Sequence, residues 1–513
     1  MPENIINLIK TKVKRQWVIC FVSVIIFGLI AHLYRFMNLE PNWDAIVYRY
    51  DELNMTHIGR IFSKVACMFT SYYDLPWING LVSLVFIALG SVVICELFKL
   101  KNKISYVLIS GLLVTFPTVT STFAFSYTAD GYFMAFFASI LAVFLVDKKG
   151  ILKNILGILL MTFALGVYQA YITVSVMLIL VYLLNLTVFQ KESLSIITKK
   201  LVKFLISGII AAGLYWIIVK VYMLVSGSAL TEYQGAQEAF NLTNINIPAA
   251  IINCLYMFKE YYFDFSHGVT LFTVLNILMF VIIGVCGIAS VLRKEKNAVG
   301  RALYAALFVA VMPFGARALF FIDSNMDYHN LTLMGSVLFP ILMVLFYEKL
   351  TFNKKSLNFV KQWSIFVVAA LMIYNLTLIA NISYHTMQLS YEKSYSVATR
   401  ITDRIEQTEG IENCDKISVI GTLAGSEEYS FDMTPDMTGF TKGLILRETD
   451  EIIADQFVLS TFLREYTGLD LENATEEDTK LIEQSEDFKN MTPWPAKGAI
   501  KVKGDTVIVY LGK

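Results

Sequence analysis

Long runs of apolar residues, separated by shorter polar segments, occupy most of the chain before residue 383. A run of about 20 apolar residues forms a helix long enough to cross the hydrocarbon core of a membrane, and the pattern predicts about eleven of them. The two predicted helices that meet at Tyr168 are the least clearly separated. The predicted ranges are 17–37, 77–98, 104–122, 128–146, 151–167, 169–189, 201–225, 269–292, 300–322, 331–348 and 362–382.

The pattern changes at residue 383. Beyond it, acidic residues outnumber basic ones and short apolar stretches alternate with polar segments, as in a soluble domain. We therefore expect an all-α membrane domain over 1–382 and a small α+β domain over 383–513. The elements predicted in the second domain are helices at 384–409 and 449–467, a buried strand at 416–421 and a hairpin at 499–511.

The composition agrees with this division. Of 513 residues, 56% are hydrophobic and only 16% are charged, which is too apolar for a soluble protein of this length. The formal net charge of zero gives no indication of a nucleic-acid partner. Six cysteines are scattered without CxxC spacing, so neither a disulfide framework nor a zinc site is indicated. The first apolar run is too long for a signal-peptide core and predicts an uncleaved membrane anchor.

Basic residues are concentrated in every second connection between the predicted helices. Cytoplasmic loops of membrane proteins carry the excess of lysine and arginine, so we expect these connections, and the N-terminus, on the inside. The loop at 38–77 then lies outside, and an odd number of helices places 383–513 outside as well. The basic connections are 10–15, 99–103, 148–153, 191–203, 293–301 and 349–361.

The loop at 38–77 contains the densest group of chemically active side chains in the membrane part of the chain. Asp44 follows the first helix closely and is a candidate general base toward a sugar hydroxyl, with Asp51 as the alternative. Arg60, which a glycine precedes, and Arg49 are candidates for binding a phosphate group. Each of these charges taken alone is equally consistent with a solvated interfacial residue or a structural ion pair.

Four further residues are candidates outside this loop. Asp130 stands at the outer end of the fourth predicted helix, where substrate positioning and helix N-capping explain a carboxylate equally well. Tyr168 and Gln169 have side chains suited to hydrogen-bonding a sugar or a lipid phosphate, although an aromatic belt and a turn amide explain them nearly as well. Arg317 lies in an apolar run, where a lone arginine normally faces a cavity and a counter-ion such as a lipid phosphate.

No cofactor is predicted from the sequence. The five histidines are dispersed and form no metal triad, and a divalent ion held by Asp323, Asp327 and the first loop is only weakly indicated. The sequence has no Walker loop, dinucleotide fingerprint or nucleophile elbow. Nucleotide-driven transport and serine hydrolysis are therefore unsupported.

Several short motifs, in their order along the chain, resemble those of the bacterial membrane glucosyltransferases of the O-antigen glucosylating (Gtr type II) family. They are NWDAIVYR with Asp44, HIGRIF with Arg60, PWINGLVS at the second helix, the outer Asp130, LGVYQAY with Tyr168 and Gln169, and MTPWPAKGAIKVKGDTVIVYL near the end. The resemblance covers nearly the whole chain, and the order of the motifs is its most specific part.

That family is similar in architecture to the class C (GT-C) glycosyltransferases, in which a multispanning protein takes a sugar from a polyprenyl-phosphate donor at the outer leaflet. The resemblance implies a catalytic carboxylate in the first outer loop, which corresponds to Asp44. Family members often have two adjacent acids there, whereas this chain has Trp43 before Asp44 and a separate pair at Asp51 and Glu52. The choice between Asp44 and Asp51 therefore stays open.

Together these features predict a GT-C-like hexosyltransferase of the cell membrane, with glucose as the expected sugar. Its expected partners are a polyprenyl-phosphate-linked donor, a cell-surface glycan or teichoic-type acceptor, and membrane lipid. The predicted roles are Asp44 or Asp51 as the base, Arg49, Arg60 and Arg317 for phosphate, and Asp130, Tyr168 and Gln169 for sugar. The alternatives are a polysaccharide polymerase or lipid-linked-sugar transporter, and a non-enzymatic envelope sensor or scaffold. A transporter should have polar or broken helices at mid-membrane, whereas the charges here gather at outer helix ends.

Overall fold

The computed structural model of the protein describes residues 12–48, 55–71, 73–231, 246–265, 268–291, 298–324, 330–423 and 456–512. These residues pack into two compact units. The first takes in the described residues within 1–37 and 51–381, and the second takes in those within 38–50 and 382–513. The described residues 38–48 therefore pack with the C-terminal residues, although they directly follow the first helix.

Most of the described chain is helical. In chain order the helices are α1 (Arg15–Met37), α2 (Trp43–Tyr48), α3 (Ser63–Ala66), α4 (Pro76–Leu97), α5 (Lys103–Thr115), α6 (Pro117–Ala124), α7 (Ser126–Asp147), α8 (Ile151–Val167), α9 (Ile172–Val188), α10 (Leu194–Ser226), α11 (Ile247–Phe263), α12 (Leu271–Val291), α13 (Ala298–Ala316), α14 (Leu338–Lys349), α15 (Lys355–Glu406), α16 (Gln456–Phe462), α17 (Glu476–Glu483) and α18 (Glu486–Lys489). The strands are β1 (Lys416–Ile420), β2 (Glu472–Asn473), β3 (Ile500–Lys503) and β4 (Thr506–Tyr510).

Eight helices among the described residues are long and apolar enough to cross a membrane, or nine if α5 and α6 form one bent span. The prediction of an all-α membrane protein is therefore confirmed at this level. Helix α14 has only 12 residues, and at about 1.5 Å per residue it is roughly 18 Å long. That length is well below the roughly 30 Å of a hydrocarbon core.

The predicted helix at 104–122 is wrong as a single element. It is divided into α5 and α6, whose axes differ by 40°. Pro117 is the first residue of α6, and Phe116 before it has an extended backbone with ψ 140°. The proline ring disfavours the helical conformation at the preceding residue and removes a backbone donor, and both effects favour a break here.

The predicted helix at 331–348 is also wrong in extent, because its first residues form short 3-10 turns at Asn330–Thr332 and Met334–Val337. A β-carbon on Gly335 would lie 2.7 Å from the carbonyl oxygen of Thr173, so this part of the chain is pressed against the start of α9. At the opposite end, the buried ammonium of Lys361 donates to the carbonyls of Phe346, Tyr347 and Leu350. A cation at this end satisfies the last carbonyls of α14 and opposes its dipole.

Small residues bring the first helices close together. A β-carbon on Gly80 of α4 would overlap the ring of Phe36 of α1. On α1, a β-carbon on Gly28 would lie 2.6 Å from the side chain of Leu84 and 3.1 Å from that of Val114 of α5. Because helices in lipid gain little from hydrophobic burial, such close packing is a main source of their association.

A buried ion pair joins the end of α1 to the residues that precede α4. The Arg35 guanidinium lies 3.9 Å from the Asp74 carboxylate, and both side chains are almost completely buried. Arg35 also donates to the Phe123 carbonyl at 3.0 Å and to Ser126 Oγ at 2.6 Å, and Ser126 in turn donates to Asp74. Arg35 is therefore a core residue that ties α1 to the start of α7.

The second unit contains a four-stranded sheet with the order β2-β1-β4-β3. Strands β1 and β4 are parallel, and β3 and β4 form an antiparallel hairpin. The strand predicted at 416–421 and the hairpin predicted at 499–511 are thus confirmed as elements. Ile417, Val419, Val507 and Val509 face a cluster that includes residues of α15 and α16, whereas Ile420 and Ile508 face Ile482 of α17 and Met491.

Helix α2 is held in the core of the second unit. Ile46 is 3% exposed and packs in the same apolar cluster as Val397, Ile401 and Phe462. The amide of Ala45 donates to the side-chain oxygen of Asn42 at 2.8 Å, which caps the start of α2. The loop predicted at 38–77 is therefore not one structural element, because its first residues pack in the second unit and residues from 55 onward in the first.

The ion pair of Arg35 generates a stability prediction. Arg35→Leu should lower the free energy of unfolding by about 3–5 kcal/mol, because it leaves a buried carboxylate without its cation. The double replacement of Arg35 and Asp74 by Leu should recover part of that loss. Denaturation of the purified protein in detergent micelles measures both.

An exposed ion pair between the residue before α1 and helix α4 supplies the control for this experiment. Lys14 bonds Glu96 of α4 at 2.8 Å, but its side chain is 52% exposed. Lys14→Gln should therefore cost no more than about 1 kcal/mol. Equal losses from Lys14→Gln and Arg35→Leu would contradict the structural role given to the buried pair.

The packing of Ile46 generates a second stability prediction. Ile46→Ala should destabilise the second unit by about 2–5 kcal/mol, because it leaves a cavity in its apolar cluster. Resistance of the C-terminal residues to limited proteolysis during a temperature ramp measures the change. Leu481→Ala, at a position that is 67% exposed in the same unit, should change stability by no more than about 0.5 kcal/mol. Equal effects of the two substitutions would show that α2 is not anchored by Ile46.

Candidate functional site

The segment from Met55 to Leu75, of which 55–71 and 73–75 are described, lies directly against α7 and α8. The amide of Phe62 donates to the carbonyl of Gly166 at 2.8 Å, and a β-carbon on Gly166 would overlap the Phe62 ring. A β-carbon on Gly131 of α7 would lie 2.5 Å from Cys67 Sγ. Two helical positions without side chains thus allow this segment to reach the helix backbones.

Arg60 is held by two tyrosines from different helices. Its Nη1 donates to the hydroxyl of Tyr132 at 2.8 Å, and its guanidinium carbon lies 4.6 Å from the centre of the Tyr168 ring. The rings of Tyr132 and Tyr168 are stacked, with centres 4.4 Å apart and planes within 4°. Both tyrosines are buried, whereas Arg60 is half-buried. The arrangement therefore presents a positive charge on an aromatic wall with access to the surroundings.

The backbone that carries Arg60 is fixed by its neighbours. The carbonyls of His57, Ile58 and Gly59 accept hydrogen bonds from Thr231 N at 2.9 Å, Gln169 Nε2 at 3.0 Å and Tyr215 Oη at 3.0 Å. Gln169 Nε2 also donates to Tyr215 Oη at 3.0 Å. The side-chain amide of Gln169 therefore bridges the loop of Arg60 and helix α10.

Asp130 is completely buried on α7. Its carboxylate accepts hydrogen bonds from Thr70 Oγ1 at 3.2 Å and from Asn79 Nδ2 at 3.5 Å. Helix α7 begins at Ser126, so Asp130 lies in its second turn and helix N-capping is excluded as its explanation. Thr70 and Asn79 connect this carboxylate to the segment that contains Arg60 and to α4.

Arg317 is also buried, at 3% exposure, in the turn after α13. Its Nη1 donates to Ser336 Oγ at 2.8 Å and to the carbonyl of Ala316 at 3.2 Å, and its guanidinium lies 5.4 Å from the centre of the Tyr261 ring. The 3-10 turn that contains Ser336 contacts the turn at Gln169–Tyr171. Arg317 therefore supports the same turn that holds the loop of Arg60.

Asp44 lies in the second unit, in the first turn of α2. A carboxylate in this turn interacts favourably with the helix dipole, and the side chain is only partly buried. The other acidic candidate, Asp51, and the arginine candidate Arg49 lie outside the described residues. Asp327, proposed from the sequence as a weak metal ligand, lies outside them as well. Within the described ranges, no group of at least three His, Cys, Asp or Glu side chains is placed to hold a metal ion.

The structure thus places Arg60, Tyr168 and Gln169 next to one another. Residues that act in one site must be neighbours in this way. It adds Tyr132 and Tyr215, which the sequence analysis did not identify. Tyr132 lies two residues after Asp130, a spacing that gives no indication of a shared helix face. Tyr215 lies in an apolar run, where a tyrosine is typical of an ordinary helix interior or an interfacial belt.

One family model, described as Glucosyl transferase GtrII, matches residues 33–339, which is more than half of the chain. The matched range includes the last residues of α1, from Leu33 onward, the segment of Arg60, the helices α7 to α9 and Arg317. No curated protein and no solved structure matches the chain significantly. The match covers the residues that build the site around Arg60, and the chain therefore belongs to the GtrII glucosyl transferase family.

Proposed function

We propose that the protein transfers a hexose, with glucose as the expected sugar, from a polyprenyl-phosphate-linked donor to a cell-surface glycan or teichoic-type polymer. The reaction takes place on the outer face of the membrane. Membership of the GtrII glucosyl transferase family supports sugar transfer by a membrane protein. The observation that carries the choice of donor is the half-buried cation of Arg60, fixed on an aromatic wall inside an apolar helical unit.

The phosphate of the donor is the proposed ligand of Arg60. When the bond between the anomeric carbon and the phosphate oxygen breaks, the leaving phosphate gains negative charge. A preorganised guanidinium stabilises that charge more strongly in the transition state than in the bound donor, and an apolar environment increases the effect. Arg49 is a second proposed phosphate ligand. Arg317 is buried and bonded to Ser336, so we propose that it acts through its charge and through support of the adjoining turn.

The carboxylate of Asp44 is the proposed general base, with Asp51 as the alternative. It accepts the proton of the acceptor hydroxyl while the hydroxyl oxygen forms a bond to the anomeric carbon and the phosphate departs, with inversion at that carbon. Asp44 is partly buried on a short helix with a capped start.

Asp130, Tyr168 and Gln169 are the residues proposed to position the sugar. Tyr168 has an aromatic ring already in contact with Arg60, and sugar rings pack readily on such faces. Asp130 offers a buried carboxylate that a sugar hydroxyl could use as an acceptor after displacing Asn79, whose hydrogen bond is long. The amide nitrogen of Gln169 holds Ile58 and Tyr215, so its contribution is through the shape of the site.

The proposed orientation follows from the basic connections between helices. Lysines and arginines at 99–103, 148–153 and 191–203 belong on the cytoplasmic side by the positive-inside rule. The proposed site and the second unit are then extracytoplasmic. A lipid-linked donor presented at the outer leaflet is consistent with this arrangement.

Replacement of the two candidate bases provides the main test. The purified protein should transfer labelled glucose from synthetic polyprenyl-phosphate glucose to an acceptor glycan. Asp44→Asn should lower kcat by about 10²–10⁴-fold, because general-base catalysis is lost, and Asp51→Asn should have a smaller effect. Asp487→Asn, at a side chain that is 68% exposed in the second unit, serves as the control. Equal activity of all these proteins would rule out both carboxylates as the base.

The phosphate role of Arg60 is tested by changing the shape of its cation. Arg60→Gln should lower kcat by about 10²-fold or more, because it removes a charge aimed at the leaving group. Arg60→Lys should lose less, since it keeps the charge but not the planar group that fits a phosphate. Lys64→Gln removes an exposed cation of the same segment and should leave kcat near that of the unmodified protein. A similar kcat for Arg60→Gln and Lys64→Gln would exclude this role.

A further inference from the structure

The loop of Arg60 is held through its backbone carbonyls. Three carbonyls in a row, at His57, Ile58 and Gly59, accept hydrogen bonds from groups of three separate parts of the chain. Gly59 has a φ of +78°, a conformation that glycine adopts without strain. These donors are distant in sequence from the loop, so together they fix the position of the residue that follows, Arg60.

Tyr215 is the centre of this backbone arrangement. Its hydroxyl donates to Gly59 O and accepts from Gln169 Nε2, both at 3.0 Å, so the hydroxyl is engaged as a donor and as an acceptor. The ring packs in a cluster with Leu165 and Val219 and is 8% exposed. The ring is thus fixed by packing, and its oxygen marks a fixed point for the peptide that precedes Arg60.

Tyr132 has the corresponding function at the other end of the Arg60 side chain. Its hydroxyl accepts from Nη1 at 2.8 Å, while its ring stacks on Tyr168 and makes an edge contact with Tyr171 at 6.5 Å. An arginine side chain has many rotamers, and ordering it costs on the order of 2 kcal/mol of entropy. The hydrogen bond from Nη1 to a fixed acceptor orders the Arg60 side chain before any ligand binds, so the ligand does not have to supply that free energy.

We propose that Tyr132 and Tyr215 are positioning residues for Arg60, with Tyr215 fixing the backbone before it and Tyr132 fixing its guanidinium. This inference rests on the proposed function, in which Arg60 stabilises the leaving phosphate. It assigns roles to two tyrosines that act on the reaction through Arg60. Preorganisation of this kind lowers the free energy of the transition state. A guanidinium that must first be oriented stabilises the transition state less than one that is already in place.

Removal of single hydroxyl groups tests the proposal kinetically. Tyr132→Phe and Tyr215→Phe keep the rings and their packing, and each should lower kcat by about tenfold, with a smaller change in the KM for polyprenyl-phosphate glucose. Tyr182→Phe is the matched control, because this tyrosine is 4% exposed and donates to Asp147 at 2.8 Å in the same unit. A control variant that loses as much kcat as the other two would overturn the proposal.

The same substitutions in the Arg60→Gln background separate positioning from general structural damage. If the tyrosines act through Arg60, Tyr132→Phe and Tyr215→Phe should cause no further loss of kcat once Arg60 has been replaced. A further tenfold loss in that background would mean that the hydroxyls act independently of Arg60, which would overturn the proposal.

A chemical measurement tests the positioning without any catalytic readout. An arginine-selective dicarbonyl reagent, followed by peptide mass spectrometry, gives the rate at which Arg60 is modified in the full-length protein. Tyr132→Phe and Tyr215→Phe should raise that rate several-fold, and Tyr182→Phe should leave it unchanged. If the protein without substitutions transfers no sugar but Arg60 is modified faster in the two variants, the proposed function fails and the positioning stands. If transfer occurs but the rates and kcat are unchanged, the positioning fails alone.

Discussion

The close approach of the segment from Met55 to Leu75 to the backbones of α7 and α8 is the constraint on which the candidate site depends. Gly131 and Gly166 are the positions that permit it, because any side chain there would meet Cys67 or Phe62. With the segment in this place, Arg60 reaches Tyr132 on α7 and Tyr168 at the end of α8. A larger residue at either glycine would move the segment outward and separate the cation from its aromatic wall.

Charged groups in the first unit differ in how far they are enclosed, and this difference separates structural from functional candidates. Arg35 is completely buried with Asp74, and Lys361 is buried against the end of α14. Such groups are needed by the fold, since removing either partner leaves an unfavourable charge or unsatisfied carbonyls. Arg60 is different because it contacts two tyrosine rings and a hydroxyl and stays half-buried. Its partial exposure is what makes it a functional candidate.

The apolar pattern predicted most helices of the first unit, and the β elements of the second, close to their observed positions. It failed where a local rule is stronger than hydropathy, as at Pro117, which divides an apolar run that is otherwise long enough for one helix. It also could not show that Ile46 packs with α15 and α16, because a single apolar residue on a short helix has no periodicity from which a partner can be inferred. Tyr132 and Tyr215 were missed for a related reason, since their function depends on hydroxyl partners distant in sequence.

The positions of the proposed base and the proposed phosphate ligand depend on different cores. Asp44 is carried by α2, which Ile46 anchors among apolar residues of the second unit, whereas Tyr132, Tyr168 and Tyr215, which hold Arg60 and its backbone, belong to the first. Packing defects in one core should therefore change the placement of one group and leave the immediate partners of the other intact. It follows that the position of Asp44 depends on the C-terminal residues, because the short helix that bears it has its buried face among them.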